Sequence, residues 1–308
     1  MKGDSKNAII SIAGIDSFRR VSNLHPLDLY IGKDISARPT LLLLSDIEPS
    51  HIFSSKLIGI HIGKRADDRW ALSFSLNDSK FEDIFYHFCD DIVEASADFS
   101  DQDKGTLFIC ERYVKWQELL KKNSSGLLGF SEIKGLLGEL TFLKNVLFKK
   151  YTPKEALLSW IGPSRADQDF VCPKYWYEVK AAVSGAESVH ISSVEQLDTE
   201  MPGELVVVYL DKTSRSDPNK ITLNTLIDEI TEKLPSAEER RILRDILIDQ
   251  GYIRKDEYDE YVFKYNGYTR YTVTDKFPAL RRKDLPKAVT SAKYIISLAS
   301  ISDYIKED

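Results

Sequence analysis

The chain has 308 residues, of which 43% are hydrophobic and 29% are charged, with a formal net charge of −6. This acidic balance is unusual for a protein that mainly coats nucleic acid, but it leaves a nuclease open, because carboxylates at a metal site add negative charge. Three widely spaced cysteines support neither a disulfide framework nor a zinc site. No apolar run approaches the roughly 18 residues needed to span a bilayer, and the first residues lack a signal-peptide layout. We therefore expect a cytoplasmic protein with no membrane contact.

The first hundred residues predict a β-rich region. Residues 81–97 then switch to helical spacing, and residues 106–122 predict a strand or helix start that runs into a further helix. We assign residues 1–105 to an N-terminal domain that contacts DNA or a partner, and residues 106–308 to a second domain. The polar stretch 123–126 breaks the pattern and is another candidate for the boundary. The predicted strands are 27–31, 40–44, 57–62 and 70–76.

The second domain mixes helical and strand patterns. Ser131 is placed to cap a helix that carries Glu139, and Gly251 is placed to end a later helix. Asn266-Gly267 is a hairpin-turn dipeptide, so residues 258–273 predict one strand or two. In chain order the predictions are a helix over 131–147, a hairpin of strands 169–172 and 175–182, a strand over 188–192, a helix start at 192–197, a fully buried strand over 205–210, helices over 222–233 and 237–250, and an apolar element over 294–298.

The predicted hairpin carries the residues with the clearest chemistry. Side chains alternate between the two faces of a strand, so Glu178 and Lys180 point the same way. With Asp169 at the start of the neighbouring strand, two carboxylates and an ammonium converge at one sheet edge. This arrangement suits a Mg²⁺ ion held against a phosphate, because Mg²⁺ prefers oxygen ligands and keeps several waters. The carbonyl of Val179 would be a further ligand, and Lys180 would orient the attacking water and stabilise developing charge.

Three more residues extend this hypothesis. Glu139, on the preceding helix, would hold a second metal or a metal-bound water, and Gln196 would hydrogen-bond a phosphate, Lys180 or a water. Asp167 competes with Asp169 for the role of first acid, and we prefer Asp169 because it begins the apolar strand. A Glu-x-Lys pair alone is more often a solvated surface pair than an active site. The order of helical Glu, strand-opening Asp and Glu-x-Lys is more specific than any single part.

This order resembles the PD-(D/E)XK nuclease superfamily, which has the restriction-endonuclease-like fold, and within it a branch of proteins from bacterial restriction and phage-defence loci. Residues before about 105 resemble that branch only loosely. One departure is Gln168, which stands before the first acid where the motif has proline. The blocks that carry the resemblance are 135–140, 160–163, 169–170, 178–181, 191–193 and 196–197, followed by 277–278, 284–286 and Tyr294.

The resemblance implies an α/β (α+β) core in which helices flank a central mixed sheet. It also implies Mg²⁺-dependent cleavage of double-stranded DNA, with Mn²⁺ as an alternative ion. The catalytic set would be Asp169, Glu178 and Lys180, with Glu139 as the helical acid. Two hypotheses follow. The first is a metal-dependent endodeoxyribonuclease with a restriction or phage-defence role.

The second hypothesis is a non-catalytic DNA-binding or assembly subunit, whose partner ATPase or methyltransferase supplies other functions of a defence complex. Cleavage of RNA stays open, because a metal–carboxylate site acts on either backbone. A homodimer also stays open, because nucleases of this fold often pair to cut both strands.

Overall fold

The computed structural model describes residues 5–122, 128–162 and 167–307. The chain forms two compact units, Met1–Gly126 and Leu127–Asp308. A single helix, Gln102–Lys122, runs through residue 105, where we had placed the domain boundary. The other candidate boundary, residues 123–126, lies outside the described residues, as does Pro163 of the 160–163 block. Among the helices of the described ranges, none is long and apolar enough to cross a membrane.

In the first unit, the described residues include a five-stranded antiparallel sheet, three α-helices and a 3₁₀ turn at Ser79–Phe81. The strand order is β1-β2-β3-β5-β4, and all four predicted strands are confirmed. Strand β1 was not predicted, because its sequence Ser-Phe-Arg-Arg has one apolar residue and it pairs only at the sheet edge. The elements are α1 (Ser5–Ile10), β1 (Ser17–Arg20), β2 (Asp28–Lys33), β3 (Pro39–Ser45), β4 (Ile58–Lys64), β5 (Trp70–Leu76), α2 (Glu82–Ala95) and α3 (Gln102–Lys122).

Aromatic side chains fill the core of this unit. Phe88 of α2 packs 5.3 Å from Phe74 of β5 and 5.5 Å from Trp116 of α3, measured between ring centroids. The carboxylate of Asp91 accepts hydrogen bonds from the Trp116 indole at 2.8 Å and from buried Arg112 at 2.6 Å. The apolar stripe of α2 is therefore core packing, as its helical spacing predicts.

The second unit carries the remaining elements. A π-helical turn, Leu143–Leu147, joins α4 to α5, and short 3₁₀ turns occupy Asp256–Glu260, Arg282–Asp284 and Ala299–Tyr304. The elements are α4 (Phe130–Phe142), α5 (Phe148–Lys150), α6 (Pro153–Ser159), β6 (Phe170–Cys172), β7 (Tyr175–Ala182), β8 (Ser188–Ile191), β9 (Gly203–Lys212), β10 (Lys220–Ile221), α7 (Leu223–Lys233), α8 (Ala237–Asp249), β11 (Phe263–Val273) and β12 (Tyr294–Ser297).

A mixed sheet of order β10-β11-β9-β7-β6 forms the centre of this unit, so the fold is mixed α and β, as predicted. Strands β7 and β9 are parallel, and the other pairs are antiparallel. A separate two-stranded ladder joins β12 to β8. The predicted hairpin is confirmed as β6 and β7. Strand β9 is buried on both faces, with Val206 and Val207 in different apolar clusters.

One local prediction is wrong, and one alternative that the sequence left open is resolved. Residues 194–197 form a turn instead of the start of a helix. Residues 263–273 form one strand, and the register shifts between Tyr265 and Tyr268, where Gly267 has φ of 98°. Asn266-Gly267 is therefore a β-bulge and not a hairpin turn. The reason is tertiary, because the residues on both sides of the bulge pair with the same strand, β9.

Two glycines of α4 provide a test of how closely this helix lies to β7. A Cβ added at Gly138 would lie 2.9 Å from the Cβ of Ala181, whereas one added at Gly135 would meet nothing within 4 Å. We expect Gly138→Ala to lower the free energy of unfolding by about 1–3 kcal/mol through overpacking. Gly135→Ala should raise it by up to about 1 kcal/mol, because alanine favours the helix. Urea denaturation of both variants checks this, and equal effects would contradict the close approach.

Candidate active site

Asp169 and Glu178 are cross-strand neighbours. The ladder pairs Phe170 with Tyr177, so one step further places Asp169 opposite Glu178. The Val179 N–H donates a 2.8 Å hydrogen bond to Oδ2 of Asp169. This bond fixes the carboxylate just before the first residue of β6, where it faces the directly opposed Glu178.

The alternation of side chains along β7 places Lys180 beside Glu178. Tyr177 and Val179 belong to the core cluster that includes α4, whereas Glu178 and Lys180 face the other side. The Glu178 side chain is 0% exposed, and its Oε1 lies 2.6 Å from Nζ of Lys180, which is 17% exposed. The Lys180 ammonium and the Asp169 backbone both stabilise the ionised form of this carboxyl group.

Glu139 reaches the same place from α4. Its Oε2 accepts a 2.7 Å hydrogen bond from the indole Nε1 of Trp160, and the Trp160 ring stacks on Phe170 with centroids 5.9 Å apart. Glu139 also interacts electrostatically with Asp169 and with Glu178. The predicted helical acid is therefore close to the acids of the hairpin.

Gln196, the last of the predicted site residues, contacts Lys180. Its Oε1 accepts hydrogen bonds from Nζ of Lys180 at 3.3 Å and from the Ser192 N–H at 2.7 Å. The ammonium therefore lies between a carboxylate on its own strand and an amide oxygen on the turn that follows β8.

Burial makes all three carboxylates reluctant to ionise. Desolvation and the nearby Asp169 raise the pKa of Glu178 to about 8, although Lys180 opposes this rise. Desolvation raises the pKa of Asp169 to about 6, against the effects of Lys180 and of the Val179 N–H. Desolvation and the repulsion from Asp169 hold the pKa of Glu139 well above its ordinary value. Such a group of mutually repelling acids gains stability when a cation enters.

The chain matches, over residues 6–299, the family model described as "Putative PD-(D/E)XK family member, (DUF4420)". The chain belongs to this family. No match is found among the curated proteins or among the solved structures. PD-(D/E)XK nucleases typically use divalent metal ions.

The acids of this PD-(D/E)XK chain fit such an ion by their chemistry. Glu178 has two buried carboxylate oxygens, and oxygen atoms of this kind are the ligands that Mg²⁺ takes. The described residues include no group of three or more His, Cys, Asp or Glu side chains arranged to hold a metal. One or two carboxylates suffice for Mg²⁺, because waters fill its other positions. The metal roles of Asp169, Glu178, Glu139 and the Val179 carbonyl stay predictions.

The structure separates the two candidates for the first acid. Asp167 is exposed, whereas Asp169 is half-buried and bonded to β7. Of these two residues, Asp169 is the one that lies opposite Glu178, and its role as the first acid stays a prediction.

Sequence reasoning assigned no role to several residues that support the site. Trp160 lies in a block of the resemblance, and its contact with Glu139 depends on how α6 packs. In the sequence Gln168 differs from the motif only by replacing proline, yet its side chain donates hydrogen bonds to the turn that carries Gln196. Both contacts join segments that are distant in sequence, so periodicity gives no signal for them.

Proposed function

We propose that this protein is a Mg²⁺-dependent endonuclease that hydrolyses phosphodiester bonds of double-stranded DNA in restriction or phage defence. The observation that carries the proposal is Glu178, which is fully buried 2.6 Å from Lys180, opposite Asp169 and near Glu139. Three carboxylates that repel one another around one ammonium carry excess negative charge, which supports the binding of a cation there. Family membership over residues 6–299 supports nuclease-like chemistry.

In the proposed reaction, Asp169 and Glu178 would hold the ion, the Val179 carbonyl would add a further ligand, and Glu139 would hold a second ion or a metal-bound water. Bound Mg²⁺, or Mn²⁺ in its place, supplies an activated water and offsets the charge of the phosphoryl group. Lys180 would orient the attacking water and stabilise charge that develops on the phosphate. Gln196 would keep the ammonium in place through its 3.3 Å hydrogen bond.

We also infer that the second unit has a restriction-endonuclease-like core. Its support is the order of elements: α4 carries Glu139, the β6–β7 hairpin carries the Asp and the Glu-x-Lys pair, and β7 then pairs in parallel with β9. A cytoplasmic location and a homodimer that cuts both strands are part of the same proposal.

A second candidate is a non-catalytic DNA-binding or assembly subunit that works with an ATPase or methyltransferase. The observation that favours it is the 2.6 Å ion pair, because Lys180 already faces the carboxylate that a metal would need. Calorimetry separates the two candidates. Mg²⁺ or Mn²⁺ binding that disappears in a Glu178→Gln variant supports the nuclease, and no binding to the natural protein supports the subunit.

The direct test of the nuclease is cleavage of supercoiled plasmid DNA with Mg²⁺ or with a chelator. We expect Mg²⁺-dependent nicking or linearisation, and a rate at least about 100-fold lower for Lys180→Ala, because a positioned proton-transfer group contributes this much. Lys174→Ala is the matched control, because Lys174 is exposed at the turn of the same hairpin. Equal cleavage by the natural protein and Lys180→Ala would contradict the proposal, since the activity would then not depend on this site.

A further inference from the structure

The turn that carries Gln196 is held from outside by side chains. Nε2 of Gln168 donates to the carbonyl oxygen of Glu195 at 2.7 Å and to that of Gln196 at 3.3 Å. The guanidinium of Arg281 donates to the next carbonyl oxygen, that of Leu197. Three consecutive carbonyls of a short turn are thus satisfied by residues that lie outside it.

The position of this turn determines where Lys180 lies. The Gln196 side chain leaves the turn and accepts hydrogen bonds from Nζ of Lys180 and from the Ser192 N–H through one oxygen, Oε1. The ammonium also lies 2.6 Å from Glu178 and interacts electrostatically with Asp169. A shift of the turn would remove the Gln196 acceptor and leave the ammonium drawn toward the carboxylates.

Gln168 is suited to link the turn with the acids. It directly precedes Asp169, whose carboxylate is bonded to β7. Both partners of its side chain are carbonyl oxygens, which only accept hydrogen bonds, so the NH₂ end of the amide must face the turn. Proline, which the motif has at this position, offers no such donor.

We propose that Gln168 is a positioning residue: its side-chain amide fixes the 195–197 turn and, through Gln196, holds Lys180 in the geometry that the reaction needs. This inference rests on the proposed nuclease function. A positioning role and a purely structural role predict different effects when the amide of Gln168 is removed. A structural role would lower stability alone, whereas a positioning role lowers the rate of the chemical step and leaves DNA affinity unchanged.

The test uses the full chain with Gln168→Met, which keeps the length of the side chain and removes the donor. Gln102→Met is the matched control, because Nε2 of Gln102 also donates to a backbone carbonyl, that of Pro26, at 2.7 Å. We expect both variants to lose thermal stability, because each loses hydrogen bonds to backbone carbonyls. Only Gln168→Met should lower the single-turnover cleavage rate, by about 10- to 100-fold, as misplacement of a reacting group does. The Kd for plasmid-derived duplex DNA should stay unchanged.

A second measurement does not depend on activity. The rate at which an amine-reactive reagent modifies Lys180, followed by mass spectrometry, should rise in Gln168→Met and stay unchanged in Gln102→Met. Unchanged cleavage by Gln168→Met would overturn the inference, as would a parallel rate loss in both variants. If the natural protein cleaves no DNA, the proposed function fails and the labelling alone decides: unchanged labelling overturns the role of Gln168. If Gln168→Met does not fold, Gln168→Asn replaces it in each comparison, because its amide is one methylene too short for both carbonyls.

Discussion

A Glu178→Gln variant is expected to resist urea more strongly than the natural protein at pH 8, near the pKa of about 8 for buried Glu178, and to lose Mg²⁺-dependent DNA cleavage. The two effects have one cause. A carboxylate that is 0% exposed and lies beside another acid is costly when ionised, and this same property makes it a good ligand for a cation. Stability and activity therefore change in opposite directions at this position.

The pH dependence follows from the direction of the pKa shift. Folding raises the pKa of Glu178 from 4.5 to about 8. Between these values the folded chain holds more protons than the unfolded chain, so the free energy of unfolding falls as pH rises. Asp169, with its pKa raised to about 6, contributes in the same direction over a lower range. The natural protein should therefore lose stability between pH 5 and pH 8, and Glu178→Gln should lose less of it.

The gain in the free energy of unfolding of Glu178→Gln is limited by the cost of burying the glutamine amide. Relief from the ionised carboxylate is worth on the order of a few kcal/mol, and a buried amide without partners costs about 1–3 kcal/mol. We expect a net gain of about 1–3 kcal/mol at pH 8 and little or none at pH 5. Urea denaturation at both values measures it, with Glu187→Gln as the control because Glu187 is exposed.

Added Mg²⁺ gives the complementary observation on the same two variants. It should raise the melting temperature of the natural protein and of Glu187→Gln at pH 8, since a ligand that binds only the folded state stabilises it. It should leave Glu178→Gln unchanged, and chelator should reverse the effect. A variant that is no more stable than the natural protein at pH 8 would show that Lys180 alone compensates the ionised carboxylate.

The hairpin was predictable from sequence because its information is local. Alternation along β7 depends only on neighbouring residues, and it correctly placed Glu178 and Lys180 on one face and Tyr177 on the other. The turn at Pro173-Lys174 lies between two apolar runs, so the pairing of β6 with β7 had little freedom.

The parts that sequence reasoning missed are tertiary. Asn266-Gly267 is a strong hairpin signal, but β9 offers a continuous partner to the residues on both sides, so the chain bulges instead of reversing. The polar stretch around Gln196 has the composition of a helix start, yet its carbonyls are held by Gln168 and Arg281 in a turn. Local propensity determines the secondary structure of such segments only where no contact with a distant segment competes.

Asp169→Asn and Asp167→Asn form the most discriminating pair of substitutions at this site. The two aspartates are separated by one residue, and both changes remove one negative charge, so overall electrostatics are matched. We expect Asp169→Asn to lower the rate of plasmid cleavage at least about 100-fold, because a metal held by fewer carboxylates stabilises the reacting phosphate less. Asp167→Asn should cleave within about twofold of the natural protein, since a substitution of an exposed residue away from special features has little effect.

The stability of the Asp169→Asn variant is the control for its cleavage rate. Asparagine keeps an oxygen that can accept the 2.8 Å hydrogen bond from the Val179 N–H, so the β6–β7 junction should survive. It also removes a half-buried carboxylate whose pKa is raised to about 6, so Asp169→Asn should be at least as stable as the natural protein above that pH. A loss of cleavage without a loss of stability would assign the effect to the carboxylate charge. If Asp167→Asn loses more cleavage activity than Asp169→Asn, then Asp167, and not Asp169, is the first acid. The proposed pairing of the first acid with Glu178 would then be wrong.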